Sequence, residues 1–476
     1  MFLYLIVAVG FYYLFPRKVR NIWLLVISLV FYGWGEPIYL FLMIFTIVVD
    51  YVCGYMVDKF RADKKKAKTA LVISVILNLA ILGFFKYYDF IVGSIINLIP
   101  GVNIPLLGLS LPIGISFYTF QALGYSIDVY RGDINPQRHF GKYALFVSFF
   151  PQLVAGPIER SKNLLPQFDE IHFFNYDNAV NGIKLMLWGY YKKIVIADTV
   201  CVAVDTVFNN IRVFDGLAII IASFLFSIQI FCDFSGYSDI ARGCALVMGF
   251  KLMKNFDHPY FSHSLREFWS RWHISLSTWF KDYLYIPLGG NRKGKLRRYI
   301  NLLITFLVSG LWHGANITFV VWGAVHGLCQ IIGGVTKPIK DKVFGFRQGS
   351  RAYYLHCGVS VALTFALVCF AWIFFRANSL ADAAYAVSHL FKWGSLSLSY
   401  IFSELKLIFG TRAEFYRLIA TLPLFIILSV IDRYKSLNSV FSKLRSPVRA
   451  IIYVMFVTYI LLFARAEMQD FIYFQF

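Results

Sequence analysis

The sequence predicts an all-α, polytopic integral membrane protein, and two observations support this prediction. Hydrophobic residues make up 58% of the chain and charged residues only 15%, whereas soluble domains average about half and about a quarter. Apolar segments of span length recur along the chain, separated by short basic loops. We expect roughly 10–12 transmembrane helices, together with interfacial and broken helices, in a single domain covering residues 1–476.

The charged and cysteine residues narrow the functional classes. The formal charge of +20 comes from basic residues in short loops between apolar segments, which topology and lipid headgroups explain better than nucleic acid does. We therefore expect membrane lipids, and no nucleic acid, among the partners. The seven cysteines lie singly and form no CxxC or Cys/His cluster, so we predict neither a disulfide framework nor a bound metal.

The N-terminal part predicts both spans and topology. Its apolar segments lie at about 1–15, 22–35 and 38–57. No basic residue precedes the first of them, which indicates a retained span and not a cleaved signal peptide. Basic loops follow at residues 17–20 and 59–68. Because positively charged loops remain in the cytosol, we predict that both loops are cytosolic and that Met1 is external.

The next part contains interrupted apolar segments. After a span at about 69–86, the segments LPIGISFYTFQ (111–121) and FFPQLVAGPIER (149–160) combine apolar residues with Pro and Gly. Broken helices at membrane depth are tolerated only where they face protein or a water-filled cavity. We therefore predict that residues 111–160 line a polar passage, and that another span follows at about 179–199.

The span at about 216–250 carries a polar cluster. Asp233 and Tyr237 recur at helical spacing, so their side chains could satisfy one another. Asp239 and Arg242 are better explained as a structural ion pair. Three further spans are predicted at about 353–375, 416–431 and 447–464, and Ser379 is the expected N-cap of a short amphipathic surface helix.

The most informative stretch runs from about 254 to 337, and its first half is amphipathic. A helical projection places Leu265, Phe268, Trp269, Trp272, Leu276, Trp279 and Phe280 on one apolar side. The opposite side is a polar stripe of Arg266, Ser270, His273, Ser277 and Lys281. Such a helix is typical of a membrane interface or of the rim of a polar cavity. Arg266 and Ser270 are therefore candidate substrate contacts, and His273 is a candidate catalytic residue that would polarise or position the substrate.

The second half, Tyr299–Thr336, contains no Asp, Glu, Lys or Arg and is long enough for roughly two spans. His313 lies there in GLWHGAN, flanked by glycines, and His326 follows. An intramembrane histidine is costly unless it has a role or a partner. His313 either acts as a base, for which burial favours the neutral imidazole, or only bonds a backbone carbonyl. The second histidine, the Trp-rich helix and the glycine break favour the functional alternative, with Trp312 and Asn316 as candidate substrate contacts.

These residues carry a resemblance. The two segments concerned are SLREFWSRWHISLSTWFKDYLYIPLGG and SGLWHGANITFVVWGAVHG. Both resemble the signature region of the membrane-bound O-acyltransferases. Within that family they resemble the branch that acetylates alginate and other bacterial polysaccharides. Further matching pieces lie at 111–121, 149–160, 233–243 and 471–476. The resemblance implies that His313 is the catalytic histidine and that His273 is the second motif histidine. It also supports the prediction that Asp233 and Tyr237, which lie in the matching piece at 233–243, line the cavity.

The resemblance also implies an activity and an architecture. Members of the family enclose a funnel or tunnel that ends at the catalytic histidine. We expect an enzyme of the bacterial cytoplasmic membrane that binds no cofactor and uses acetyl-CoA or another cytosolic acyl thioester as donor. The expected acceptor is an extracytoplasmic polysaccharide, and an extracytoplasmic acetyltransferase is the expected partner protein. The basic residues at 292–298 either bind CoA phosphates or only mark a cytosolic loop.

Two alternatives stay open at this point. A same-family enzyme that acts on peptidoglycan or teichoic acid would carry the same motifs. A secondary transporter would also contain broken helices, but transporters often show inverted repeats, and none is evident in this sequence.

Overall fold

The computed structural model describes residues 2–99, 101, 103–154, 156–394, 397–465 and 471–472. Within these ranges the secondary structure is helical, with no β-strand, as predicted. Met1, Ala155 and residues 473–476, which belong to features predicted above, lie outside the described residues. The first eight α-helices are α1 (Phe2–Leu14), α2 (Arg17–Gly35), α3 (Tyr39–Lys59), α4 (Lys64–Leu98), α5 (Ile115–Arg131), α6 (Phe140–Ser148), α7 (Phe150–Leu153) and α8 (Ser161–Leu164).

The remaining α-helices carry the predicted signature region. They are α9 (Tyr176–Tyr190), α10 (Asp198–Phe208), α11 (Gly216–Val247), α12 (Leu265–Arg271), α13 (Ile274–Phe280), α14 (Gly294–His313), α15 (Ile317–Val343), α16 (Arg351–Arg376), α17 (Leu380–His389), α18 (Leu398–Phe409), α19 (Arg412–Tyr434), α20 (Leu437–Ser442) and α21 (Ser446–Phe463). Two π-helical turns lie at Tyr191–Ala197 and Lys281–Tyr285.

Side-chain caps fix several helix starts. The carboxylate of Asp63 accepts hydrogen bonds from two backbone N–H groups at the start of α4, and the Ser264 hydroxyl accepts from Glu267 N at the start of α12. The Ser379 hydroxyl caps α17 in the same way, which confirms the predicted short surface helix. Each cap satisfies a backbone donor that has no partner inside its helix.

Seven helices of the described chain are long and apolar enough to cross a membrane, namely α3, α4, α11, α15, α16, α19 and α21. This number is lower than the roughly 10–12 expected, because several apolar segments form shorter helices. For example, α1 and α5 have 13 and 17 residues, and a perpendicular span needs about 20. Large apolar side chains of α21 are exposed, such as Leu461 at 74%, as expected for a surface that faces lipid.

The chain divides into two compact units. The first comprises Met1–Met186, Ser238–Lys254 and Thr278–Leu284. In it, α3, α4 and α5 pack together, and α2 packs on α1 and α6. Helix α5 is buried on nearly all sides, so it faces protein and not lipid, while the predicted polar passage along residues 111–160 stays a prediction. In this unit Arg242 pairs with Asp239 at 3.2 Å, which confirms the expected ion pair.

The second unit comprises Leu187–Tyr237, Asn255–Ser277 and Tyr285–Phe476. Its main feature is the antiparallel hairpin of α14 and α15, against which α12 and α16 pack. A hydrophobic core lies elsewhere in the same unit, where the π-helical turn around Tyr191 and Ile196 meets Phe425 of α19 and Ile460 of α21. The hairpin positions the candidate site.

Candidate active site

His313 is the last residue of α14 and lies at the closed end of the α14–α15 hairpin. Its side chain is buried, with 3% exposure. Three aromatic rings contact the imidazole, with centroid distances of 5.0 Å to Trp312, 5.0 Å to Trp322 of α15 and 5.2 Å to Phe375 of α16. The imidazole is therefore held in a fixed orientation by rigid aromatic neighbours.

Two glycines allow the hairpin to close this tightly. A Cβ atom built on Gly310 would lie 2.2 Å from the carbonyl oxygen of Phe319, and one on Gly323 would lie 2.3 Å from the carbonyl oxygen of Phe306. Real Cβ atoms do not approach backbone oxygens so closely, so only glycine permits this distance between the helices. The glycines near His313 thus have a packing role.

His273 does not lie on a polar stripe, and this corrects the predicted continuous amphipathic helix. Helix α12 ends at Arg271 and α13 begins at Ile274. His273 lies between them with φ of 42°, the left-handed conformation that costs a non-glycine residue free energy and that clusters at functional sites. The break rotates the following residues away from the position that a regular helix would give them. Six of the seven apolar side chains predicted here are nevertheless buried, including Phe268 and Leu276 at 1% exposure each, and Trp269 is partly buried.

A neighbouring loop holds the break in place. Asn255 accepts hydrogen bonds from Ile274 N at its backbone oxygen and from Ser275 N at its side-chain oxygen. Ser277 N donates to the carbonyl oxygen of His273 and starts the next turn. These bonds replace the helical bonds that the left-handed residue interrupts, so the conformation of His273 is determined by tertiary contacts.

The His273 side chain points into protein. It is 1% exposed, its ring lies 4.6 Å from that of Phe234 of α11, and burial lowers its pKa to about 3. The indole of Trp312 lies 6.1 Å from His273 and 5.0 Å from His313, measured between ring centroids. A single aromatic side chain therefore contacts both predicted histidines, which are 40 residues apart in the sequence.

His326 joins the same aromatic cluster from α15. Its Nδ1 accepts a hydrogen bond of 3.3 Å from Nε1 of Trp269, which places the ring proton on Nε2. Its ring also packs edge-on against Trp322 at 5.0 Å, and the side chain is 1% exposed. This contact orients Trp322, which in turn packs on His313. His326 therefore helps to position His313 through Trp322.

Asp233 and Tyr237 lie in an ionic cluster of the same unit. Oδ1 of Asp233 lies 2.8 Å from Nζ of Lys193, and Oδ2 accepts a hydrogen bond of 2.7 Å from the backbone N–H of Ile472. The Lys193 ammonium also lies 2.9 Å from Asp198. The Tyr237 ring packs on Phe471 at 4.5 Å, so both predicted residues hold the C-terminal motif at 471–472.

The remaining predicted residues have varied surroundings. Arg266 and Ser270 are exposed on α12, and the Ser270 hydroxyl donates to the carbonyl oxygen of Glu267. Asn316 is the N-cap of α15, accepting from Thr318 N, and its amide nitrogen donates to the carbonyl oxygen of Asn378. Its hydrogen bonds thus go to backbone groups, which indicates a structural role.

Several residues of the site were not identified from the sequence. Trp322 lies four residues before His326 on α15, a spacing that places both on one helical face, so the histidine already noted in the sequence would have been a usable signal for Trp322. Phe375 and Lys193 carry no local signal, because they reach the site or the ionic cluster only through helix packing.

The arrangement places the two candidate catalytic imidazoles, those of His273 and His313, in a buried aromatic environment. A neutral imidazole can accept a proton or donate a hydrogen bond, and a site that excludes water strengthens both interactions. Within the described ranges, no group of three or more His, Cys, Asp or Glu side chains is arranged to hold a metal ion. The chemistry that the His273 and His313 imidazoles can supply is proton transfer and hydrogen bonding.

Comparison with known proteins identifies the family. The profile of MBOAT, the membrane-bound O-acyltransferase family, matches residues 135–375. The chain is 41% identical over 406 residues to a Pseudomonas syringae pv. tomato protein named Probable alginate O-acetylase AlgI, covering 84% of this chain and 75% of that protein. A Pseudomonas putida protein of the same name is 38% identical over 493 residues, covering 100% and 98%. A Helicobacter pylori protein named Peptidoglycan O-acetyltransferase is 35% identical over 437 residues, covering 85% and 81%. The chain therefore belongs to the membrane-bound O-acyltransferase family and is a multi-pass membrane O-acyltransferase.

Proposed function

We propose that this enzyme moves an acetyl group from a cytosolic thioester, acetyl-CoA, to hydroxyl groups of an extracytoplasmic bacterial polysaccharide. In this proposal it acts in the cytoplasmic membrane, together with an extracytoplasmic acetyltransferase partner. The acyl class and the acceptor class follow the relatives named for alginate and peptidoglycan O-acetylation. The observation that supports the site is the contact of Trp312 with both His273 and His313.

In this proposal His313 is the general base. Its imidazole nitrogen takes the proton of the acceptor hydroxyl while the hydroxyl oxygen attacks the thioester carbonyl carbon. The tetrahedral intermediate then collapses, the C–S bond breaks, and the imidazolium returns the proton to the leaving thiolate. A positioned base contributes about 10²–10⁴ in rate, and the ring contacts of His313 supply the positioning.

His273 has a complementary role. Because burial lowers its pKa to about 3, its imidazole is neutral at pH 7 and can donate one hydrogen bond without carrying a charge. A neutral donor near the carbonyl oxygen stabilises the oxyanion that develops there, an effect worth about 10²–10³ in rate for one donor. The left-handed conformation of His273 fixes the direction of this donor.

Variants at the two histidines test the proposal. A strain that contains the acceptor pathway and any partner, but lacks the native gene, is complemented with each variant, and glycan O-acetyl content is measured by NMR. His313→Gln keeps hydrogen-bonding capacity but cannot act as the base, so we expect loss of acetylation by about 10²-fold or more. His273→Ala is expected to lower turnover by about 10²-fold.

His389→Gln is the matched control, because His389 on α17 bonds only locally, with Nδ1 2.9 Å from the carbonyl oxygen of Tyr385. This control should retain wild-type acetylation. The melting temperature of each purified variant distinguishes a loss of activity from a loss of folding. Wild-type acetylation by His313→Gln would rule out the base role and leave His313 with a structural hydrogen bond.

Acceptor and donor are tested separately. Purified glycan fractions from the same strain show whether the O-acetyl groups lie on exopolysaccharide, on peptidoglycan or on teichoic acid. Labelled acetyl-CoA supplied to inside-out membrane vesicles should label the glycan fraction. Label that appears only with another acyl thioester would overturn the donor assignment and leave the acyl-transfer site intact.

A further inference from the structure

The first compact unit contains a buried acidic group that the proposed acyl transfer does not use. Asp50 lies in the middle of α3, a candidate membrane span, and its side chain is 0% exposed. Its Oδ1 accepts hydrogen bonds from Ser74 Oγ at 2.5 Å and from Ser126 Oγ at 2.8 Å. Its Oδ2 accepts a hydrogen bond from Asn78 Nδ2 at 2.7 Å. Residues of α3, α4 and α5 thus converge on one carboxylate.

This carboxylate has no counterion among the described residues. The hydrogen-bond donors are two hydroxyls and one amide, all neutral, and Asp50 forms no ion pair with a described side chain. A charge buried at membrane depth is costly unless it is paired or coordinates a metal ion. The Lys193–Asp233 pair of the second unit shows the usual arrangement, with a cation 2.8 Å from the carboxylate. Asp50 lacks that compensation.

A second observation indicates a ligand. Oδ1 of Asn78 is buried and has no hydrogen-bond partner, and the side chain is only 2% exposed. It belongs to the same amide group whose nitrogen donates to Asp50, so this unused oxygen lies at the edge of the carboxylate cluster. Buried carbonyl oxygens rarely lack a partner. The cluster therefore combines an unbalanced negative charge with an unused oxygen donor.

The surroundings add another oxygen. The hydroxyl of Tyr143 on α6 is buried without a hydrogen-bond partner, and its ring lies 5.9 Å from that of Tyr51, the neighbour of Asp50. Burial raises the pKa of Tyr143 well above its usual value, and the negative charge of Asp50 adds to this effect. The Tyr143 hydroxyl is thus within electrostatic range of the carboxylate.

We propose that the Asp50 cluster binds one small monovalent cation of the sodium class, with the Asp50 carboxylate, the Asn78 amide oxygen and the hydroxyl oxygens of Ser74 and Ser126 as its donors. Hard oxygen donors suit such an ion. One positive charge neutralises the single carboxylate, whereas a divalent ion would leave a net charge buried in the span. The ion would also hold α3, α4 and α5 together.

Thermal unfolding of the purified, detergent-solubilised protein tests the site. Melting temperatures are measured over a range of NaCl concentrations, with choline chloride keeping the ionic strength constant. A ligand that binds only the folded state stabilises it with a saturable concentration dependence. We therefore expect the melting temperature to rise and saturate with sodium. Equilibrium dialysis with radioactive sodium should give one bound ion per chain.

Three variants complete the test. Asp50→Asn keeps the side-chain shape but removes the charge, so it should lose the sodium response. Asp58→Asn is the matched control, because Asp58 lies on the same helix but already pairs with Arg138 at 2.6 Å, and it should keep the response. Ser126→Ala keeps the charge and removes one donor, so the half-saturating sodium concentration should rise about tenfold, the equivalent of about 1.4 kcal/mol.

Two results would overturn the proposal. Identical melting temperatures in NaCl and choline chloride, without bound radioactive sodium, would show that the cluster is a hydrogen-bonded contact between helices or that Asp50 carries a proton. A sodium response that persists in both Asp50→Asn and Ser126→Ala would place the bound ion elsewhere. If Asp50→Asn does not fold, Ser126→Ala and the dialysis measurement still decide the question.

Discussion

Adding one methyl group at Gly310 tests whether the close approach of α14 and α15 positions His313. In Gly310→Ala the new Cβ would lie 2.2 Å from the carbonyl oxygen of Phe319. This oxygen belongs to the backbone of α15 and cannot rotate away. A normal C···O contact is about 3.3 Å, so the helices must move apart by about 1 Å. Overpacking of this kind costs about 1–3 kcal/mol of stability.

The same shift should reduce turnover. His313 lies three residues after Gly310, about one helical turn away, and a displacement of about 1 Å at a reacting group can cost about 10²-fold in rate. We therefore expect Gly310→Ala to lower both the melting temperature and the rate of glycan acetylation. Unfolding of the purified variant and acetylation in the complemented strain measure the two effects.

Gly333→Ala on α15 is the matched control. A Cβ at Gly333 meets no atom within 4 Å, and Ala is favoured over Gly inside a helix by up to about 1 kcal/mol. This variant should be at least as stable as the wild type and fully active. If Gly310→Ala and Gly333→Ala have the same stability and the same activity, the argument from the hairpin distance is wrong.

Two further predictions concern pH and topology. The ordinary pKa of His273 is 6.5 and burial lowers it to about 3, so between these values the unfolded chain holds a proton that the folded protein does not. The free energy of unfolding should therefore fall on acidification across this window, by up to about 1.4 kcal/mol per pH unit. Chemical unfolding between pH 4 and 7 should show a smaller loss of this free energy for His273→Gln than for the wild type. Equal pH slopes for the two proteins would contradict the lowered pKa of His273. The exposed Lys65 lies in the first turn of α4, within the basic stretch 59–68 that is predicted to be cytosolic. Lys65→Cys should therefore resist an impermeant thiol reagent in intact cells and react after permeabilisation. Labelling from outside would reverse the predicted orientation.

Much of the fold was predictable because the relevant signals are local. Hydrophobicity over about 20 residues identified the positions of α3, α11, α16, α19 and α21. The start of α17 was predictable from its N-cap, because the Ser379 side chain accepts a hydrogen bond from the backbone N–H of Asp382, three residues later. The ion pair of Asp239 and Arg242 followed from their helical spacing. These features depend on residues a few positions apart, so the surrounding fold changes them little.

The break at His273 was not predictable from periodicity. A helical projection assumes constant backbone angles, and this assumption does not hold at His273, which has a left-handed conformation. The bonds that stabilise the break come from Asn255, 18 residues earlier, which no local pattern indicates. The prediction of a polar stripe was therefore wrong, although six of the seven apolar side chains predicted for the same segment are buried.

By itself the sequence determined that this protein is helical and embedded in the membrane, and it singled out His313 within a stretch free of charged residues. Only the tertiary structure decided which distant groups meet: Trp312 with His273, Lys193 with Asp233, and the serines and asparagine of α4 and α5 with Asp50. The physical reason is that burial in a span depends on the summed hydrophobicity of neighbours in the chain, whereas contacts between side chains depend on how the helices pack. That packing depends on interactions between helices, such as the glycine contacts of α14 and α15, which become apparent only when both helices are in place.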